Sequence, residues 1–181
     1  MKHLYFGVVT LILLLSLFLT GCNSKPGAME PYTSEVLGVT LDIPARWVKE
    51  EVGEQLMIAN SAKSLKSSQV VNGAGLIIIT MPLADMMGIT DPVEILDIFQ
   101  EELLNSVTNA EILQETAAYT IQEQPAATMK FKGELEGQPG IYGIIVLTGK
   151  TDLGTILSVD TTSDNTFADT LTQIVDSVKL Q

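Results

Sequence analysis

The sequence predicts an α+β domain, a mostly antiparallel β-sheet flanked by two amphipathic helices. Three observations carry this. Several short segments alternate apolar and polar residues, Leu76–Met81 and Ile141–Leu147 are apolar almost throughout, and just two stretches repeat apolar residues at helical spacing.

The first strand is Leu37–Ile43, where Leu37, Val39, Leu41 and Ile43 alternate with Gly38, Thr40 and Asp42. Pro44-Ala45-Arg46-Trp47 ends it, and Gln55–Ala59 forms a second short strand. Asn60–Gly73, rich in Ser, Lys, Asn and Gly, reads as a loop. Leu76–Met81 is β-branched as well as apolar, which suits a central strand covered on both faces, and Pro82 stops it. Asp91-Pro92-Val93-Glu94 opens a helix, with Asp at the cap, Pro at the first helical position and Glu reaching back. Leu96, Phe99, Leu103 and Val107, widened by Ile95 and Leu104, give that helix one apolar stripe.

Further strands follow. Ala117, Tyr119 and Ile121 alternate, and Ala127, Met129, Phe131 and Leu135 alternate with Thr128, Lys130, Lys132 and Glu134. Gly137-Gln138-Pro139-Gly140 is a hairpin signal leading into Ile141–Leu147. Asp152-Leu153-Gly154 turns the chain into a strand over Thr155–Val159. Ser163-Asp164-Asn165-Thr166 then caps a last helix, whose Phe167, Leu171, Ile174, Val175 and Val178 share a face, with Asp164 as the capping residue.

The N-terminal segment is of another kind. Lys2 and His3 precede an apolar run over Val8–Leu19, and Leu19-Thr20-Gly21-Cys22 closes it. A positive start, about 7–15 apolar residues and small residues at the cleavage point describe an export signal rather than a membrane span. The tetrad resembles the lipobox of bacterial lipoproteins, which implies that Cys22 receives diacylglycerol and a further acyl chain such as palmitate. The expected organisation is a signal peptide over 1–21, a lipidated cysteine with a flexible tether over 22–35 (where Pro26, Gly27 and Pro31 lie among polar residues), and one domain over 36–181. Localisation follows as the outer face of the cytoplasmic membrane, or the outer membrane if the host has one.

Composition excludes more than it suggests. The net charge is −12 at pH 7, all 22 acidic residues lie after Cys22, and Lys2 is one of the ten Lys and Arg. Nucleic-acid binding needs clustered positive charge, so it is excluded, and acyl chains rather than a basic patch must hold the domain to a bilayer. His3 is the one histidine and Cys22 the one cysteine. Beyond Cys22, Ser-His-Asp and Cys-His catalysis, thiol redox chemistry, disulfides and His- or Cys-ligated metals are therefore unavailable. No cofactor is expected.

The order of elements resembles a known family. Gly38-Val39-Thr40-Leu41-Asp42-Ile43-Pro44-Ala45-Arg46-Trp47 is similar to the glycine, alternating strand, proline and tryptophan that open PsbP-like domains. The mid-chain helix is similar to theirs in position. Glu123–Phe131 resembles their strand beginning near a Gly/Pro-Ala pair, and Ile174–Leu180 resembles their closing helix. The likeness spans Val36–Leu180. It implies an α/β/α sandwich around an antiparallel sheet, in a family with many bacterial lipoproteins and one specialised photosystem II branch. Metal sites proposed in that branch use histidine, so the resemblance carries no metal site here.

Other candidate residues have two readings each. Trp47 reads as a binding platform or as a plug at the end of the sheet beside Pro44. Glu50, Glu51 and Glu54 read as a cation site or as a solvated edge, since they lack the alternating Asp/Asn-Gly loop of a calcium site. Asp160, Asp164 and Asp169 around the start of the last helix read as a cation site, or else Asp164 reads as the helix cap. Glu134 and Glu136 project from one strand face like paired carboxylates, yet flank a hairpin tip where charge is commonplace. Lys63 and Lys66 among serines lack the desolvation a lysine base needs. In Pro82–Ile89, Leu83, Met86, Met87 and Ile89 form either an exposed, adaptable interaction loop or a staple under the following helix.

The leading functional expectation is a lipid-anchored, non-enzymatic interaction domain that is tethered to a membrane and meets an envelope protein partner. Its rivals are a carboxylate-dependent hydrolase and a lipid-anchored binder of a small ligand or cation. Two converging carboxylates would favour the hydrolase, and a deep apolar pocket the small-ligand binder.

Overall fold

Alternation of branched residues sets a wide antiparallel sheet, and two amphipathic helices and a second sheet close over its faces. The computed structural model describes residues 27–66, 69–70 and 73–181. Their strands are β1 (Met29–Ser34), β2 (Val39–Pro44), β3 (Val48–Val52), β4 (Gln55–Ala59), β5 (Leu65–Lys66), β6 (Gln69–Val70), β7 (Ala74–Pro82), β8 (Val107–Ile121), β9 (Gln124–Leu135), β10 (Gln138–Thr148), β11 (Asp152–Asp160) and β12 (Lys179–Leu180). The helices are α1 (Pro92–Asn105) and α2 (Ala168–Asp176), and Leu83–Met86 forms a 3-10 turn.

Seven strands form the main sheet in the order β3-β4-β7-β11-β10-β9-β8, and β1-β2-β12 form a second sheet of three. Every pairing is antiparallel. The helix α1 packs on one face of the main sheet against β8, β9 and β10. Its Ile95 and Leu96 meet Phe131, Tyr142, Val146 and Leu153 in one core. On the other face, β2 and α2 bring Val39, Leu41, Leu171 and Ile174 onto Leu56, Leu76, Ile78 and Ile156 in a second core. Burying side chains of this size stabilises the fold by about 1.5–3 kcal/mol each before chain entropy is counted. The result is the expected α+β sandwich.

Local chemistry explains the boundaries. Asp91 Oδ1 accepts from the Val93 amide at 2.9 Å and Pro92 opens α1, as the sequence predicts. Glu136 (φ 51°) and Gly137 (φ 79°) form the two-residue turn between β9 and β10. Left-handed angles at both turn positions match the twist of the flanking strands.

Four expectations are corrected. Met29–Ser34, assigned to the tether, is a strand paired residue for residue with β2. The edge strand β3 is unannounced in the sequence because Lys49, Glu50 and Glu51 are exposed and leave no alternation to read. The 60–73 loop contains the small β5-β6 ribbon. Asp164 does not cap α2; Phe167 holds the N-cap position with no side-chain cap, and its own amide is bound by Asp160 Oδ2 at 2.8 Å. Among the described residues no helix is long and apolar enough to cross a membrane.

Candidate functional site

A cleft of about 230 Å³ opens between α2 and the β8-β9-β10-β11 end of the main sheet. Its floor is set by cross-strand register. One row runs Ser158, Gly143, Lys130, Gln114 from β11 to β8, and the next runs Ile145, Thr128, Ala117 from β10 to β8. Most of these side chains are small, so α2 cannot settle onto them. Its Ala168, Leu171, Thr172 and Val175 form the opposite wall.

Gly143 keeps the floor low. A Cβ there would lie 2.7 Å from Ser158 Oγ, and the Lys130 stem already passes 3.9 Å from that point. Ser158 Oγ donates to the Gly143 carbonyl at 3.2 Å, which occupies the hydroxyl locally. Long lysine stems cover apolar surface while the amine reaches water, and Lys130, itself exposed, does so at this cleft. Among the described residues its ammonium has no hydrogen-bond or ion-pair partner.

The two carboxylates that line the cleft are both engaged. Asp160 is 1% exposed, and its oxygens accept from the Thr162 amide at 2.9 Å, the Phe167 amide at 2.8 Å and the Thr162 hydroxyl. Burial of a carboxylate is tolerable when donors surround it in this way, and the three bonds fold the 161–167 segment onto the start of α2. At the other end, the Tyr119 hydroxyl donates to Asp176 Oδ1 at 2.5 Å. That bond, and then partial burial and the carboxylate's charge, holds the phenol above its ordinary value of 10.0, so it stays protonated. Gln122 Nε2 donates to the Asp176 carbonyl at 2.9 Å and ties the β8-β9 turn to the same helix end.

Of the residues singled out in the sequence, Asp160 lines the cleft, and those that follow lie elsewhere. Trp47 is buried and meets Phe167 edge to face, with ring centroids 5.9 Å apart, so it packs rather than binds. Glu50, Glu51 and Glu54 are exposed, and Glu51 accepts from the Tyr32 hydroxyl at 2.9 Å. Lys49 Nζ sits 4.8 Å above the Tyr32 ring. Glu134 is exposed on β9 and Glu136 lies in the turn. Ser61 and Ser64 hydrogen-bond each other at 2.9 Å, and Lys63 is exposed. No group of three or more His, Cys, Asp or Glu side chains is placed to hold a metal among the described residues.

Leu83, Met86 and Ile89 are half-buried against the core under α1, whereas Met87 is 93% exposed at a left-handed backbone position. Leu19, Thr20, Gly21 and Cys22 lie outside the described residues. The cleft itself was missed in the sequence. Its one local signal is Gly143, which interrupts the apolar run of β10.

No protein-family profile and no curated protein matches the sequence. Solved structures do match in shape. The cyanobacterial PsbP (CyanoP) of Synechocystis sp. PCC 6803 superposes with a TM-score of 0.55 at 15% identity, covering 90% of this chain and 99% of that one. LpqN of Mycobacterium tuberculosis, described as involved in cell envelope biogenesis, gives 0.55 at 15% identity over 87% and 86%. The Ran-binding protein Mog1p of Saccharomyces cerevisiae gives 0.54 at 16% identity over 85% and 96%. The chain has the α+β fold of PsbP-like proteins.

Proposed function

We propose that this chain is a non-enzymatic binding domain, held at the outer face of a bacterial membrane by lipid on Cys22. The cleft carries the binding reading. Asp160 has both carboxylate oxygens on neighbouring amides and a hydroxyl, Asp176 Oδ1 accepts from the Tyr119 hydroxyl, Ser158 donates to a backbone carbonyl, and Lys130 is the one cationic side chain of the lining. A general acid or base must reach the proton it moves, and Asp160 is buried with both oxygens held by neighbouring donors. The Leu19-Thr20-Gly21-Cys22 tetrad supports the anchor. LpqN acts in envelope biogenesis and Mog1p binds Ran, so their fold supports a partner-binding use and an envelope location here. In this reading the Leu83–Ile89 loop touches the envelope partner, with Met87 as its leading contact.

The test is fractionation and crosslinked capture with the full chain. Cys22→Ser should release soluble protein or leave an uncleaved precursor, and Met87→Ser should keep the fold while reducing capture. Unchanged membrane retention with fatty-acid labelling of Cys22→Ser would defeat the anchor. Turnover of an ester, glycoside or peptide that Glu134→Gln abolishes would replace binding with hydrolysis.

A further inference from the structure

We propose that the α2 cleft takes a small amphiphile with one carboxylate and a short apolar body, the carboxylate meeting Lys130 at the mouth. This rests on the binding reading above and names the ligand class of the same cleft.

Size comes first. A dry cavity of roughly 150 Å³ accepts benzene, while pockets for drug-sized ligands run to about 300–1,000 Å³. A cleft of about 230 Å³ therefore suits a body a little larger than benzene. Ile141, Ile145, Leu171 and Val175 supply apolar contact for it. Charge comes second. The chain carries −12 overall, and the lining holds Asp160 and Asp176 besides Lys130. A polyanion would leave negative charge unpaired beside those carboxylates, and a cation would leave the ammonium facing it. A single negative charge matches the single free ammonium, and a charge-assisted hydrogen bond is the strongest contact available there. Geometry comes third. Lys130 Cγ lies 3.9 Å from the point a Gly143 side chain would occupy, so the lysine stem borders the same Gly143 floor on which an apolar body would lie.

The experiment uses the full chain in nanodiscs with alanine and isoleucine methyl labels, titrated with hexanoate, hexanol and hexylammonium. Hexanoate should saturably shift the methyls of Ala117, Ala168, Ile141 and Ile145 and leave Ala74 and Ile95 in place. Lys130→Met, which keeps the apolar stem, should weaken hexanoate by about tenfold or more and leave hexanol unchanged. Thr172→Trp, an exposed change on the opposite wall, should block all three probes. No saturable shift, equal binding of hexylammonium, or full hexanoate affinity in Lys130→Met would overturn the assignment. Partner capture by the tethered protein is read separately, so loss of the ligand class and loss of the binding reading give different results.

Discussion

Two ends of one sheet face differ in the side chains at their register positions, bulky and aliphatic at one end, mostly small or polar at the other. One row runs Leu56, Ile78, Ile156, Ile145, Thr128, Ala117 from β4 to β8, and its neighbour runs Ile58, Leu76, Ser158, Gly143, Lys130, Gln114. Under the bulky end, β2 and α2 pack down until Leu56, Ile58, Leu76, Ile78 and Ile156 are fully buried. Under the small end the same helix stands clear and the cleft remains. Interiors pack closely wherever side chains can fill the space between layers. The alternation that builds a sheet thus says nothing about whether a layer will close over it; side-chain volume decides.

This contrast can be broken by mutation, and the largest effect belongs to the packed end. Leu76→Ala should cost about 2–5 kcal/mol in urea unfolding, since the rigid surroundings cannot collapse on the void. A loss below about 1 kcal/mol would show that the two ends are packed alike.

Asp160 lies at the boundary between them, and Asp160→Asn should cost about 1–3 kcal/mol, because an amide cannot accept from all three of its donors without presenting its own NH2 to one. Stability equal to the parent would mean that the 161–167 segment does not depend on the carboxylate. Tyr119→Phe should cost about 0.5–1 kcal/mol, as the bond to Asp176 is exposed. The sign of its pH dependence is fixed. The native phenol holds its proton above 10.0, so its contribution is complete below pH 10 and is lost as pH rises further. Tyr119→Phe should therefore flatten the alkaline decline in thermal stability, and an unchanged slope would refute the bond. Thr128→Ala, on the open floor, should stay within about 0.5 kcal/mol. A larger loss would mean that the cleft is closed in solution.

The legible parts of the fold are those whose physics is local. Asp91-Pro92 marks α1, the Glu136-Gly137 turn meets the predicted hairpin signal at Gly137 although Gln138–Gly140 is already strand, and the two continuous apolar runs are β7 and β10, covered on both faces. Edge strands were the main loss. In β3 and in residues 108–113 of β8 nearly every side chain meets water, so no hydrophobic period exists to be read. The β8-β9 turn hid for another reason. Gln122 (φ 48°) and Glu123 (φ 66°) hold left-handed angles without glycine, and nothing in such a dipeptide signals a hairpin. The sequence puts the cap at Asp164 and not at Asp160, because the amide that Asp160 binds lies seven residues away across an irregular segment, beyond the usual cap spacing. The cleft depends on which residues stand opposite one another in four strands, information that only long-range register supplies.

The pairing of β12 with β2 has a temporal consequence. Gln124 brackets Leu180 with both ends of its amide, accepting from the Leu180 amide at 3.0 Å and donating to its carbonyl at 3.2 Å, while the Asp42 amide donates to Ser177 Oγ across 135 positions of sequence. The strands made first therefore wait for residues made much later. A chain emerging vectorially, from a ribosome or through a translocon, can form the β8-β9-β10-β11 meander early, while β2 keeps one edge unpaired until Leu180 arrives. Contacts so distant in sequence slow folding, so this domain should stay threadable until nearly all of Met29–Leu180 has been delivered. Protease resistance of β1-β2 in a series of arrested nascent chains should appear only after Leu180 emerges, and earlier resistance would contradict this order.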